Sequence, residues 1–397
     1  MATTETYQPP DSVSGVQRLG MGAALVGVVL TIIGFVLVSG DARVDRFYEA
    51  YLVAYIFWVG IALGSLAILM TIHLTGGAWG VVIRRPLEAA TRTIPIMAVL
   101  FIPIIAGMGH LYHWTHAEAA SDPVIAQKAA YLNTTFFVVR QLIYFAIWSG
   151  LAIVLNRWSA EQDRTGDPAI VNKLSKLSGG GLVVHGLILT FATVDWVMSV
   201  NPHWFSTIWG LLFLVGQGLS ALAFAIVILV MLAQYAPLNR IVTAHHLHDL
   251  GKLLFAFLML WAYLTFSQYL IIWSANTVEE VPHYVVRMQG GYEWLGVVLI
   301  LLHFAVPYAL LLSRDVKRDT RRIRAVAAWL VFIRLADYFW LVAPEFHEGL
   351  SVTLMDVALP IALGGIFLAL FAMNLRARPL LPLNDPGLAK ALHHHVH

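Results

Sequence analysis

Apolar residues run along this chain in ten blocks, each long enough to cross a bilayer core of about 30 Å, with short polar connections between them. The blocks lie near 19–39, 47–74, 93–112, 131–155, 181–200, 206–233, 251–274, 291–312, 323–344 and 352–374. Hydrocarbon offers no partner to a backbone amide, so such blocks cross as helices. The pattern predicts an all-α integral membrane protein of ten transmembrane helices. The membrane domain spans 19–374, between an N-terminal tail, 1–18, and a C-terminal tail, 375–397. No connection is long enough to fold as a separate domain.

Charge gives the helices a direction. Arg84, Arg85, Arg92, Arg157, Arg164, Lys173, Arg240, Lys252, the run from Arg314 to Arg324 and Lys390 all fall on one side, in even-numbered connections or tails. Arg43, Arg46, Lys128 and Arg287 are the basic residues of the other side. The positive-inside rule then places both termini in the cytoplasm. The start MATTETYQPPDSVSG has no basic stretch and no small-residue cleavage site, so no removable signal peptide is expected. Cysteine is absent, which excludes disulfides and thiolate-bound clusters or zinc in this chain. A net charge of +2 offers nothing to nucleic acid.

A short internal echo suggests duplication. Phe57-Trp58-Val59-Gly60 in the second block resembles Phe213-Leu214-Val215-Gly216 in the sixth, each followed by small residues. Blocks two to five and six to nine would then form two four-helix bundles in the same orientation, with blocks one and ten peripheral, as in parallel-repeat transporters. Tight helix packing alone would also place small residues there.

Polar residues inside the blocks are the candidate chemistry, because ionisable groups in hydrocarbon are costly and tend to face a partner or a water path. In the seventh block Lys252, Tyr263 and Ser267 fall within one helical stripe, bordered by Asp249, with His248 near the cytoplasmic side. Two readings stand. The stripe conducts protons through hydroxyls and water, or Asp249 caps a helix, Lys252 reaches the cytoplasm and the hydroxyls bond neighbouring helices. Arg334 sits near mid-membrane with Asp337 one turn away, and Arg140 has Asp195 at similar depth. These are register-fixing ion pairs or members of a relay, and pairing argues against easy protonation of the carboxylates. Asp356, Glu293, Glu49 and Glu345 belong to an acidic outer rim, a solvated face or a proton exit. The relay would take up protons near His248, Asp249 and Lys252, pass Tyr263 and Ser267, and leave by Asp337, Asp195 or that rim. His185 and His303 are the pair to test for a membrane haem; His110, His113 and His116, one turn apart, are the set to test for a metal or an interfacial anchor. The terminal HHHVH is an adventitious metal binder at most. No phosphate loop, triad or dinucleotide fingerprint is present.

Three long stretches carry a resemblance: YLVAYIFWVGIALGSLAILMTIHLTGGAWGVVIRRPLEAATRTIP (51–95), VDWVMSVNPHWFSTIWG (194–210) and HDLGKLLFAFLMLWAYLTFSQYLIIWSAN (248–276). They resemble the ActF-type subunits of bacterial alternative complex III, which are similar to the NrfD/PsrC family of polytopic subunits that accompany iron–sulfur proteins. The resemblance covers nearly the whole membrane region and none of the tails. It implies a ten-helix subunit of a quinol:electron-acceptor oxidoreductase in a bacterial cytoplasmic membrane, within a respiratory or photosynthetic chain. It implies no cofactor held by this chain alone, with electrons passing through an iron–sulfur subunit and haem c subunits. A second NrfD-like membrane subunit, ActC, is the one to which quinol oxidation is usually assigned, and whether quinone or quinol also binds here stays open. A self-contained secondary transporter is the alternative, and a membrane cytochrome b a third.

Overall fold

The computed structural model describes residues 7–40, 42–236 and 238–388. Lys390 and the HHHVH terminus lie outside the described residues. Among the described residues there is no strand, and ten helices are long and apolar enough to cross a membrane. These are α1 Ser12–Leu37, α2 Ala42–Thr75, α3 Ala78–Ala106, α4 Thr134–Thr165, α5 Pro168–Val200, α6 Trp209–Leu232, α7 Ala244–Ala275, α8 Tyr292–Leu312, α9 Thr320–Glu345 and α10 Leu354–Arg376. The chain is a multi-pass, all-α membrane protein.

Several helices extend past their apolar blocks on the arginine-rich side. α1 starts at Ser12, within the expected tail. α3 takes in Arg84 and Arg85, which the charge pattern placed in a connection. Local sequence explains the helix ends. Asn133, Asp167 and Asp319 each accept a backbone N–H at the start of α4, α5 and α9. In α3, Pro95 and Pro103 stand in the first turns of short helical pieces, so the span proceeds in segments. α8 is also broken. Its middle, Leu299–Ala305, is a π-helix carrying His303, and Pro307 follows in the next segment.

The packing forms two closed rings. α2, α3, α4 and α5 contact one another in sequence, and α5 returns to α2. α6, α7, α8 and α9 do the same, with α9 returning to α6. The rings meet through α2 on α6, and the cross-contacts α2·α9 and α5·α6 are related by the same exchange. This is the parallel two-unit arrangement that the short echo suggested. α2 and α6 are the most enclosed helices, each with 89% of its apolar window buried. α1 and α10 lie outside the rings and pair chiefly with each other. A Cβ on Gly27 would strike the Ala362 backbone, and one on Gly365 would strike Ala24, so glycine permits this close approach.

The described part of the C-terminal tail lies on its own chain. Leu380 donates its N–H to the Tyr7 carbonyl at 2.7 Å, Arg378 donates to the Asn156 carbonyl at 2.7 Å, and Asp385 pairs with Arg84.

Candidate functional site

Three of the buried ion-pair systems stand inside the rings or at their rims near the sequence-predicted residues, and they differ in how completely their polar atoms are used. The first joins α4 to α5. Asp195 accepts from Arg140 Nε at 2.9 Å and Nη2 at 2.8 Å, from Gln141 Nε2 at 3.1 Å and from the Tyr144 hydroxyl at 3.1 Å. Arg140 gives its remaining amino group to the Tyr131 carbonyl and lies over the Tyr131 and Phe136 rings. Trp196 Nε1 closes the circuit on Gln141 Oε1 at 2.7 Å. A bidentate guanidinium with its acceptor saturated is a rigid clasp.

The second system occupies the corresponding place in the second ring. Arg287, just before α8, meets Glu345 at the end of α9 at 2.9 Å and gives further bonds to the Leu341 and His283 carbonyls. Asn201 donates to the same carboxylate at 2.9 Å. His283 Nδ1 lies 3.0 Å from Arg287 Nη1, with its ring stacked on Trp204. Burial, followed by the nearby Arg287 charge, pulls His283 down to about 3, so the ring stays neutral, with Nδ1 also 3.2 Å from the Glu345 carboxylate.

The third system has a different character. Arg334 and Asp337 pair within α9, both buried. Around them eight side-chain polar atoms have no hydrogen-bond partner: Arg334 Nε and Nη2, the Tyr338 hydroxyl, Trp261 Nε1, both nitrogens of His303 and both amide atoms of Gln217. Trp261 and Tyr338 face the pair at geometries too loose for a hydrogen bond. His303 packs tilted against Trp261, with ring centres 3.8 Å apart, and lies within electrostatic reach of Arg334. Gly216 leaves the space that the Arg334 guanidinium fills, and Gly60 faces both Gln217 and the Tyr338 hydroxyl. The cluster therefore draws on α6, α7, α8 and α9, with α2 as its wall. Unpaired polar atoms are expensive in a low-dielectric interior, and internal water or a polar ligand is what normally satisfies them. A π-segment that presents a buried histidine is a further mark of a functional position.

The other sequence-predicted residues fall elsewhere. The buried stripe of α7 is Gly251, Leu254, Leu258, Trp261, Leu264, Gln268 and Ile272. Lys252 and Tyr263 are exposed on the outward face and Ser267 is only half-buried, so the expected Lys252–Tyr263–Ser267 stripe does not line the interior. The helix rotates its tryptophan inward and its tyrosine toward lipid. Asp249 does not cap α7 either. Thr243 and His246 form the capping box, and Asp249 lies further along, bonded by Lys252 at 3.3 Å. His248 is buried near that end. Asp356 is the capping-box acid of α10, bonded to the Thr353 N–H at 2.7 Å and hydroxyl at 2.8 Å, so its geometry is that of a helix start. The acidic rim is only partly solvated: Glu345 is clasped as above, and Glu49 is buried against His347 at 2.6 Å.

The histidine sets also separate. His185 lies in the first ring beside Trp148 and His303 in the second, so the two do not face each other across a haem-sized gap. The α-helical turn ends at Leu111, which puts His110 and the pair His113 and His116 off a common face. Among the described residues no group of three His, Cys, Asp or Glu side chains gathers as a metal site.

Two features escaped the sequence reading. Arg84 and Arg85, counted as surface charges, are buried and share Glu88 at 2.9 and 2.5 Å, with Ser159 and Gln162 completing the network and Asp163 pairing with Arg85. The spacing Arg84/Arg85–Glu88 was the available signal. Gln217, the lone amide of α6, directly follows the echoed glycine and was passed over. Compared with known proteins, the chain matches no family model and no curated protein.

Proposed function

We propose that this chain is an integral subunit of a quinol:electron-acceptor oxidoreductase of the alternative complex III kind, in a bacterial cytoplasmic membrane with both termini inside. Its second ring then couples electron transfer to proton movement. The oxidoreductase part rests on the three resembling stretches, and the two-ring architecture agrees with what they imply. The proton part is carried by one observation: the half-satisfied cluster of Gln217, His303, Arg334, Asp337 and Tyr338 at mid-membrane depth. A carboxylate held by one arginine, beside an imidazole and polar atoms that water would satisfy, is able to change protonation when the pair opens. The route runs inside the ring by way of His303 and Asp337, replacing the outward Lys252–Tyr263 stripe, with Asp195 and Arg140 as fixed structure. A quinone headgroup is the other polar occupant that such a cluster suits.

Electrons are supplied and removed by partners: an iron–sulfur subunit, haem c subunits and a second NrfD-like subunit. Affinity purification from native membranes tests this directly. Co-purification of haem c and iron–sulfur chains is the expected result. Isolation of the chain alone, with bound solute, would favour a secondary transporter, which the parallel repeat and midplane polar site also suit.

A further inference from the structure

On the arginine-rich side, a cavity of about 230 Å³ opens between α1, α6, α9 and α10. It separates the peripheral helix pair from the second ring. Its wall is apolar, formed by Val13, Val16, Ile228, Leu232, Phe371 and Leu375. Its mouth is polar, with Arg324, Gln234 and Ser12, and Tyr235 is 42% exposed there. No acidic residue lines it. Arg324 is half-buried, and no carboxylate among the described residues pairs with it. A guanidinium above an apolar cleft, at the level where the arginine-rich connections meet the bilayer, matches a lipid whose headgroup is anionic and whose chain is apolar. Met231, 39% exposed, leaves the cleft open on its bilayer side.

We infer that this crevice is a specific site for an anionic phospholipid of the adjacent leaflet, with its phosphate on Arg324 and an acyl chain against Val16, Ile228 and Phe371. The lipid fills the seam that protein side chains leave between α1/α10 and the ring. Gln234 and Tyr235 present hydrogen-bonding groups to the glycerol region. The site is independent of the proton cluster and of the partners proposed above.

The protein, in whatever assembly it purifies, is placed in nanodiscs of phosphatidylglycerol and phosphatidylcholine, and retained lipid is read by native mass spectrometry. One phosphatidylglycerol should remain bound. Arg324→Ala should lower its retention roughly fivefold, the factor expected for one basic residue at a membrane surface. Arg324→Lys should retain most of it, and Arg322→Ala, on the exposed face of the same helix, all of it. Equal retention in Arg324→Ala and Arg322→Ala would overturn the assignment. Inorganic phosphate in large excess should leave the lipid in place, and its displacement would instead indicate a simple anion site. Should Arg324→Ala fail to fold, Met231→Trp, which blocks the mouth from an exposed position, must still expel the lipid.

Discussion

Arg140 and Arg334 are both buried arginines salt-bridged to an aspartate, yet the two pairs are built for opposite ends. Asp195 receives four donors and its own ion pair is saturated, while unpartnered atoms of the first ring such as the Tyr131 hydroxyl, Trp148 Nε1 and both nitrogens of His185 belong to neighbouring side chains and not to the pair. Asp337 receives one guanidinium nitrogen, and its surroundings leave eight polar atoms without protein partners. In a medium that penalises each unpaired group, the first arrangement has one low-energy state and the second has room for several. The first ring uses its polar residues to hold α4 to α5. The second keeps them in reserve, next to a helix already broken by a π-segment. Its rigid counterpart, Arg287–Glu345, sits nearer the surface, so the second ring contains both a clasp and a loosely satisfied core.

The largest effect expected from this contrast is on stability. Asp195→Asn takes the charge from a carboxylate with four donors and leaves Arg140 unbalanced, at a cost of about 3–5 kcal/mol. Asp337→Asn leaves the buried Arg334 unbalanced too, but disturbs one protein bond where Asp195→Asn disturbs four, and should fall at the lower end of that range, about 3 kcal/mol. Denaturation of the two purified variants by SDS titration measures both. Proton release per electron in the reconstituted assembly should fall for Asp337→Asn and hold for any Asp195→Asn protein that assembles. Equal destabilisation with unchanged proton stoichiometry would reduce both pairs to the same structural role.

Removing the second pair altogether should reverse the sign. Arg334→Met combined with Asp337→Leu deletes a buried charge pair and two of its unpaired nitrogens, so stability should be unchanged or raised by about 1–4 kcal/mol while proton coupling is lost. Arg140→Met with Asp195→Leu should not enjoy that gain, because Gln141, Tyr144 and the Tyr131 carbonyl would each lose a partner. A stability gain of similar size in both double variants would erase the distinction.

The pairs themselves were legible in the sequence because charge inside an apolar block is conspicuous: Asp337 follows Arg334 by one turn, and Asp195 matches Arg140 in depth. The ten spans were legible from apolar length alone. Which way a helix faces was not. In α7 the inward residues Leu254, Leu258 and Leu264 and the outward Met259, Leu260 and Phe266 are equally apolar, since lipid and protein interior are alike as solvents. Polarity therefore made Lys252 and Tyr263 look internal, although they face away from the ring. The same ambiguity hid Arg84 and Arg85, whose charges read as a connection until Glu88 and the C-terminal segment closed over them. The π-segment around His303 has no signature in hydropathy; Pro307 was the only local hint.

A third test isolates that histidine. His303→Phe deletes two nitrogens that no protein atom satisfies and keeps an aromatic ring against Trp261, so stability should change by less than about 1 kcal/mol. Proton coupling should drop if the ring takes part in the relay. A stability loss as large as that of Asp195→Asn would mean the imidazole has partners of its own, and the Arg334 cluster would then be as fully satisfied as the Arg140 clasp.

The smallest effect belongs to a member of the expected α7 stripe. Tyr263 is 64% exposed on the outward face of α7, away from Asp337 and Gln268. Tyr263→Phe removes a hydroxyl from the bilayer-facing surface, and both melting temperature and proton stoichiometry should stay at their wild-type values. A drop in stoichiometry comparable to that of Asp337→Asn would put the conducting path on the outer face of α7, where only a partner subunit packed against that helix could enclose it. The loosely satisfied core would then be storage for structural water, and the contrast between the two arginine pairs would concern packing alone.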